Sequence, residues 1–233
     1  MHHTRFSGYD FGATHELSKE QLTALVHLLE QPAQRGEGPL GGRGGVASGD
    51  LPGVGRIVVK RYLRGGLLHH VVAKYYLRLG RARPQREFEL LDKVRALGVI
   101  APEPVAYATR GLLWYEGWLF MREISEHSRL ADPKILELHG AESLVHEVAR
   151  QMRVLIENGL LHVDLHPGNI LVDREGGVHV VDFDNAHLFR GTQRELRDQY
   201  LRRWRRAVIK HALPETLSEL MAMELRQVAA AGR

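Results

Sequence analysis

Hydrophobic residues recur at helical spacing in five stretches of the chain. From Ser18 to Gln31, Leu22, Leu25, Val26, Leu28 and Leu29 form one stripe, and Ser18 with Gln21 has the form of a capping box. Pro84 to Leu97 reads as a second helix, with Pro84 in its first turn, Phe88, Leu91, Val94 and Leu97 inward, and Gly98 as the stop. Residues 141–158 carry Leu144, Val145, Val148, Met152, Leu155 and Ile156, and end at Asn158-Gly159. Residues 191–211 and 215–231 complete the set. Short β-branched or aromatic runs predict strands at Ile57–Tyr62, and after Pro102 and Pro104 at Val105–Ala108, Gly111–Tyr115 and Trp118–Arg122. Ile170–Val172 and Val178–Val181 flank Glu175-Gly176-Gly177 as a small hairpin. Residues 1–15 show little periodicity, and little ordered structure is expected there.

Strands thus dominate the first half and helices the second, which predicts an α+β fold. A single domain of two lobes is expected: an N-lobe over about 16–124 with a small antiparallel sheet, and a short helical C-lobe over about 125–233.

Composition narrows the class. The chain of 233 residues is 44% hydrophobic and 26% charged, enough to bury a real core. It holds no cysteine, which excludes disulfides and thiolate metal sites and fits a cytosolic protein. No apolar run is long enough for a transmembrane segment, and the N-terminus lacks the apolar core of a signal peptide. The formal charge of +4 comes mainly from arginine and points to an anionic partner, whether nucleotide, phosphorylated lipid or nucleic acid. With no recognisable nucleic-acid motif, the last of these is not expected.

The candidate chemistry lies in His162-Val163-Asp164-Leu165-His166-Pro167-Gly168-Asn169, followed by Val181-Asp182-Phe183-Asp184. Phosphoryl transfer from a Mg-nucleotide needs a carboxylate beside the acceptor hydroxyl and hard oxygen ligands for Mg²⁺. The offsets match the protein-kinase pattern in which an Asp is the base and an Asn and a second Asp hold the metal. Asp164 takes the first role here, Asn169 and Asp182 the second. His162 is expected to be a buried prop of this loop. His166 either touches the γ-phosphate or packs within the loop, and Asp184 either supports the metal ligands or caps the next segment.

The N-terminal half should then bind ATP. Gly41, Gly42, Gly44 and Gly45 precede a strand and could let backbone N–H groups approach phosphates. Lys60, on that strand, is the candidate for the α/β-phosphates. Glu87 on the following helix is the expected partner of Lys60, with Glu89 as the fallback. Adenine is expected against backbone groups near Met121, Glu123 and Ile124.

Val59-Lys60-Arg61-Tyr62-Leu63-Arg64-Gly65-Gly66-Leu67, then Arg86-Glu87-Phe88-Glu89-Leu90-Leu91, Pro102-Glu103-Pro104 and the Asp-Phe-Asp at 182–184 resemble the bacterial lipopolysaccharide core kinases, the 3-deoxy-D-manno-octulosonic acid (Kdo) kinases above all. The resemblance runs from about residue 36 to 210. It implies a protein-kinase-like fold, ATP and Mg²⁺ as cofactors, and phosphorylation of the 4-hydroxyl of Kdo in Kdo-lipid A. It also implies a place on the cytoplasmic face of the inner membrane. Lys60 stands where that family often has arginine, and His166-Pro167-Gly168 looks like the loop of aminoglycoside and choline phosphotransferases. Another small-molecule kinase of that type, or a RIO-like protein kinase, is therefore the alternative. The stretch after Asp182 is short and lacks an Ala-Pro-Glu motif, so a peptide-docking platform is not expected. Arg194, Arg197, Arg202, Arg203, Arg205, Arg206 and Lys210, interleaved with Tyr200, Leu201 and Trp204, could lie on an anionic membrane. Arg61, Arg64, Lys74, Arg78, Arg81 and Arg83 form a second basic set that could meet lipid A phosphates or the Kdo carboxylate.

Overall fold

A computed structural model describes residues 1–31, 47–62, 76–77 and 80–231, with side chains through Arg226. Gly41, Gly42, Gly44 and Gly45 lie outside the described residues, as do Arg64-Gly65-Gly66, Lys74 and Arg78. The chain divides into two compact units, residues 1–92 with 102–123, and residues 93–101 with 124–233. The division is therefore not a single cut in sequence.

The first unit is an antiparallel sheet with helices. β1 (His2–Phe6), β2 (Tyr9–Ala13), β6 (Pro104–Arg110), β7 (Trp114–Arg122), β4 (Gly55–Tyr62) and β3 (Ala47–Leu51) follow one another in that spatial order, and β5 (Tyr76–Leu77) pairs with β7. Residues 1–13 form an ordered hairpin, contrary to expectation. Ser7 and Gly8 both take positive φ in its turn, which suits a two-residue hairpin loop, and Tyr9, Phe11 and Ala13 then point into the core. The alternation spans too few residues to stand out in the sequence. α1 (Lys19–Glu30) forms as expected, its N-cap Ser18 exchanging hydrogen bonds with Gln21. Leu22, Leu25, Val26 and Leu28 on α1 share one core with Ile57, Val59, Trp118 and Phe120.

α2 (Arg83–Ala96) belongs to this unit as far as Asp92. Phe88 on it meets Tyr107 edge-on at 5.5 Å. Residues 114–122 are one strand, where the pattern suggested two runs broken near Gly117. That glycine is not a turn: a Cβ there would lie 2.9 Å from the Pro84 ring of α2, so its missing side chain lets the helix approach the sheet.

The second unit is mainly helical. It holds β8 (Ser128–Arg129), α3 (Pro133–His139), α4 (Ala141–Glu157), β9 (Leu160–Leu161), β10 (Ile170–Val172), β11 (Val178–Val180), β12 (His187–Leu188), α5 (Gln193–Lys210) and α6 (Thr216–Ala231). α4 buries the predicted stripe from Leu144 to Ile156. β10 and β11 form the expected hairpin, Ile170 opposite Val180, and β9 pairs with β12. The buried Gln151 amide of α4 donates to the Val178 carbonyl and accepts the Ile100 N–H, both at 2.8 Å, which ties residues 93–101 into this unit.

α5 overturns one expectation. Leu196, Tyr200, Trp204, Ala207 and Val208 form its buried stripe, with Trp204 only 1% exposed and its indole N–H donating to the Leu217 carbonyl at 3.1 Å. A stripe facing the protein core and one facing a membrane have the same period, so the sequence pattern could not separate them. The aromatic residues of this helix are core, whereas Arg194, Arg202, Arg205, Arg206, Ile209 and Lys210 are exposed.

Candidate active site

In the first unit, side chains of β4 alternate between the sheet's two faces. Ile57 and Val59 join the core shared with α1, which leaves Lys60 and Tyr62 on the opposite face, opposite Leu119 and Gly117 of β7. Glu87 of α2 meets them there. Lys60 Nζ donates to both carboxylate oxygens of Glu87 at 2.9 Å, and the Tyr62 hydroxyl makes a short hydrogen bond to Oε2. Glu87 is 2% exposed, whereas Lys60 keeps part of its surface in contact with solvent. The Arg83 guanidinium stacks over the rings of Tyr62 and Tyr76. Glu89, the fallback partner, binds Arg81 at 2.6 Å and Gln85 at 3.1 Å instead.

The expected adenine contacts are partly occupied. Met121 is buried within β7, the Glu123 N–H donates to the Arg56 carbonyl at 3.0 Å, and the Ile124 carbonyl is bonded by the His127 ring. A base using that amide or that carbonyl would have to displace these bonds. Two described members of the second basic set are likewise engaged: Arg61 pairs with Glu116 at 2.8 Å and Arg81 with Glu89. They are therefore poorly suited as free contacts for an acceptor's phosphates.

In the second unit a buried framework carries the loop. The Tyr200 hydroxyl accepts the His162 N–H and donates to the Leu160 carbonyl, both at 2.7 Å. Burial pushes the Tyr200 phenol well above its ordinary value, so it stays protonated as that donor. The His162 ring contacts Phe183 edge-on at 4.6 Å, and its Nε2 lies 3.0 Å from the Val181 carbonyl. A carbonyl only accepts, so Nε2 carries the proton and Nδ1 is left as a buried lone pair without a partner among the described residues. Burial holds this imidazole below its usual pKa, and it remains neutral. His162 is the prop that the sequence suggested.

Asn169 turns its Nδ2 to the Asp164 carbonyl at 2.9 Å, and its own carbonyl accepts the Val181 N–H at 3.1 Å. These two bonds bring the segments bearing Asp164, Asn169 and Asp182 together. Asp182 is exposed and takes a φ of 68°, a left-handed conformation that costs a non-glycine residue about 1 kcal/mol. His166 caps the short turn Pro167–Asn169, its Nδ1 accepting the Gly168 N–H at 3.0 Å. Burial first, and then the nearby Arg203 charge, lowers its pKa to about 4. Its packing role is thus visible in the loop itself.

The roles of three residues were not legible in the sequence. Tyr62 and Tyr200 could be recognised only as core aromatics at strand and helix spacing. Arg203, whose Nη2 is hydrogen-bonded to Asp164 Oδ1, gave no local signal at all, because 39 residues separate the pair.

The chain resembles known proteins over most of its length. A family model described as the lipopolysaccharide kinase (Kdo/WaaP) family matches residues 30–223. A 3-deoxy-D-manno-octulosonic acid kinase of Vibrio vulnificus is 30% identical over 179 residues, 73% of each chain. The protein of that name from Vibrio cholerae is 31% identical over 134 residues, 56% of each chain. One from Xylella fastidiosa is 29% identical over 162 residues, 67% of this chain and 63% of the relative. With its α+β architecture, this chain belongs to the lipopolysaccharide kinase (Kdo/WaaP) family and is a phosphotransferase of the protein-kinase-like fold.

Proposed function

We propose that the protein transfers the γ-phosphoryl group of ATP to a sugar hydroxyl, the 4-hydroxyl of Kdo in Kdo-lipid A. The observation that carries this reading is the pair of bonds from Asn169 to Asp164 and from Val181 to Asn169, which hold an acid, an amide and a second acid on one framework. The names of the relatives, 3-deoxy-D-manno-octulosonic acid kinases, support Kdo as the sugar. Asp164 accepts the proton of the acceptor hydroxyl as its oxygen bonds to the γ-phosphorus. The bond from that phosphorus to the β–γ bridging oxygen breaks, and ADP leaves with the electron pair. Lys60, fixed by Glu87, holds the α/β-phosphates in place.

The donor set suits Mg²⁺. Mg²⁺ uses one or two carboxylates and fills its remaining positions with phosphate oxygens and water, so Asp182 and the Asn169 amide oxygen are a sufficient protein share. The orientation of Asn169 supports this, because its nitrogen is committed to Asp164 and its oxygen is not. Bound there, the ion would neutralise charge on the phosphates.

Attachment to the cytoplasmic face of the inner membrane is part of the same reading. No helix among the described residues is long and apolar enough to cross a membrane. The tip of the β6–β7 hairpin supports peripheral contact: Leu112 is 82% exposed, Leu113 and Trp114 are also exposed, and Leu77 of β5 lies opposite Trp114. Such a tip can sink into the headgroup region. Replacing Leu113 and Trp114 by Asp should abolish flotation with anionic vesicles; unchanged flotation would reject this surface.

The direct test of the whole reading offers Kdo-lipid A, an aminoglycoside and a generic protein to the enzyme with Mg-ATP. Phosphate on Kdo-lipid A alone is the expected result. Phosphate on the aminoglycoside or the protein instead would move the assignment to the alternative kinases.

A further inference from the structure

A cleft of about 270 Å³ opens in the second unit where α5 passes the loop of His162 and Val163, and Arg202, Arg203 and Arg206 line it together with Gln199. Arg202 and Arg206 are four residues apart on one helix face, a spacing at which like charges repel. Among the described residues neither has a carboxylate partner. Arg203 donates to Asp164 through Nη2, but its buried Nε has no acceptor among the described residues. A guanidinium offers a fork of donors suited to two oxygens at once, and here half of that fork is unused. The cleft is too small for a whole lipid and fits one anionic group with part of the ring that bears it.

We propose that this cleft binds an oxyanion of the acceptor, and that Arg203 passes from Asp164 to that oxyanion when the acceptor enters. This inference rests on the proposed function. Val163 lines the cleft and is the chain neighbour of Asp164, so an anion seated there brings its own sugar's hydroxyls beside the base. The exchange also couples recognition to chemistry. While Arg203 holds Asp164, one oxygen of the carboxylate is committed; an acceptor that supplies its own anion releases it. Sugars without the anion would neither occupy the cleft nor free the base. The shared chemistry is a carboxylate or a phosphate, which Kdo-lipid A carries on the sugar acid and on the lipid respectively.

Three acceptors distinguish the sources: Kdo-lipid A, its Kdo carboxylate methyl ester, and the same molecule with the lipid phosphates removed. Steady-state kinetics with the unaltered enzyme should show kcat/KM falling about tenfold or more for whichever acceptor lacks the recognised anion, the scale of one charge-assisted bond. Arg202→Ala and Arg206→Ala should each raise KM about tenfold for Kdo-lipid A with little change in kcat. Neither should add a penalty for the acceptor already lacking that anion. Arg203→Ala should lower kcat as well, because it both binds and positions, and Arg203→Lys should restore part of the loss. Equal kcat/KM for all three acceptors overturns the inference, as do variant penalties that do not depend on the acceptor. Those readings use the unaltered enzyme or its folded variants, with melting temperatures as the control. No transfer to any of the three acceptors would overturn the proposed function instead.

Discussion

The two units hold their functional side chains in opposite ways. In the first, Lys60, Tyr62 and Glu87 sit on a strand and a helix, and the carboxylate is buried among its partners. In the second, Asp164, Asn169 and Asp182 sit on loop segments, partly or fully exposed, and the rigid part is the framework of Tyr200, His162 and Phe183 beneath them. In the roles proposed for them, a phosphate-anchoring pair benefits from regular elements that fix its position. Groups that receive a proton or share a metal with phosphates must face solvent, so their support has to come from below. One unit buries the functional groups themselves, and the other buries what holds them.

The largest effect expected to sharpen this contrast is at Asp182. Asp182→Gly removes the proposed metal ligand and should lower phosphoryl transfer by about a thousandfold or more, within the range of lost catalytic charge stabilisation. It also relieves the left-handed backbone, so the melting temperature should rise by about 2–4 °C. A variant with lost activity and lower stability would mean that Asp182 is a structural residue.

Glu87→Gln comes next. It removes the buried carboxylate charge that faces Lys60 and should destabilise the protein by about 3 kcal/mol, near the low end for a buried pair because Lys60 retains solvent contact. Its KM for ATP should rise, while Glu89→Gln should change little. Equal effects of the two, read by thermal melting and ATP kinetics, would break the distinction between the buried carboxylate and the surface one.

Tyr200→Phe tests the second unit's framework. It strands the His162 N–H and the Leu160 carbonyl in the interior, at about 1–3 kcal/mol, with a fall in kcat larger than the change in KM for ATP. Normal kcat in a destabilised variant would show that the framework supports the fold without orienting Asp164.

The smallest expected effect is with pH. His162 and His166 both have folded-state pKa values lowered by burial, His166 to about 4. An unfolded chain takes up these protons near pH 6.5 and the native one does not, so stability is full above that value and falls as pH drops below it. Melting temperature should decline between pH 7 and 5.5, above the carboxylate range, and less steeply in His166→Asn. A flat profile would contradict the buried, neutral framework.

Legibility in the sequence follows the same division. The Lys60–Glu87 partnership was readable because strand and helix periods dictate which side chains share a face. The order of Asp164, Asn169 and Asp182 was readable because short loops fix spacing. The roles of Tyr200 and Arg203 were not, since each depends on how α5 packs on a loop far away in sequence. Nor was the burial of Trp204, because an apolar stripe does not declare what covers it. The hairpin at 1–13 was hidden by its brevity, and the continuous strand 114–122 by a glycine whose purpose is the approach of Pro84.

In the proposed function Asp164, carried on the buried framework of the second unit, accepts the proton of the acceptor hydroxyl. Transfer of labelled γ-phosphate to Kdo-lipid A by Asp164→Ala, measured beside its affinity for Mg-ATP, tests it most directly. Affinity close to that of the unaltered protein with transfer lowered by about a hundredfold or more is the predicted result. Undiminished transfer at normal affinity would contradict it.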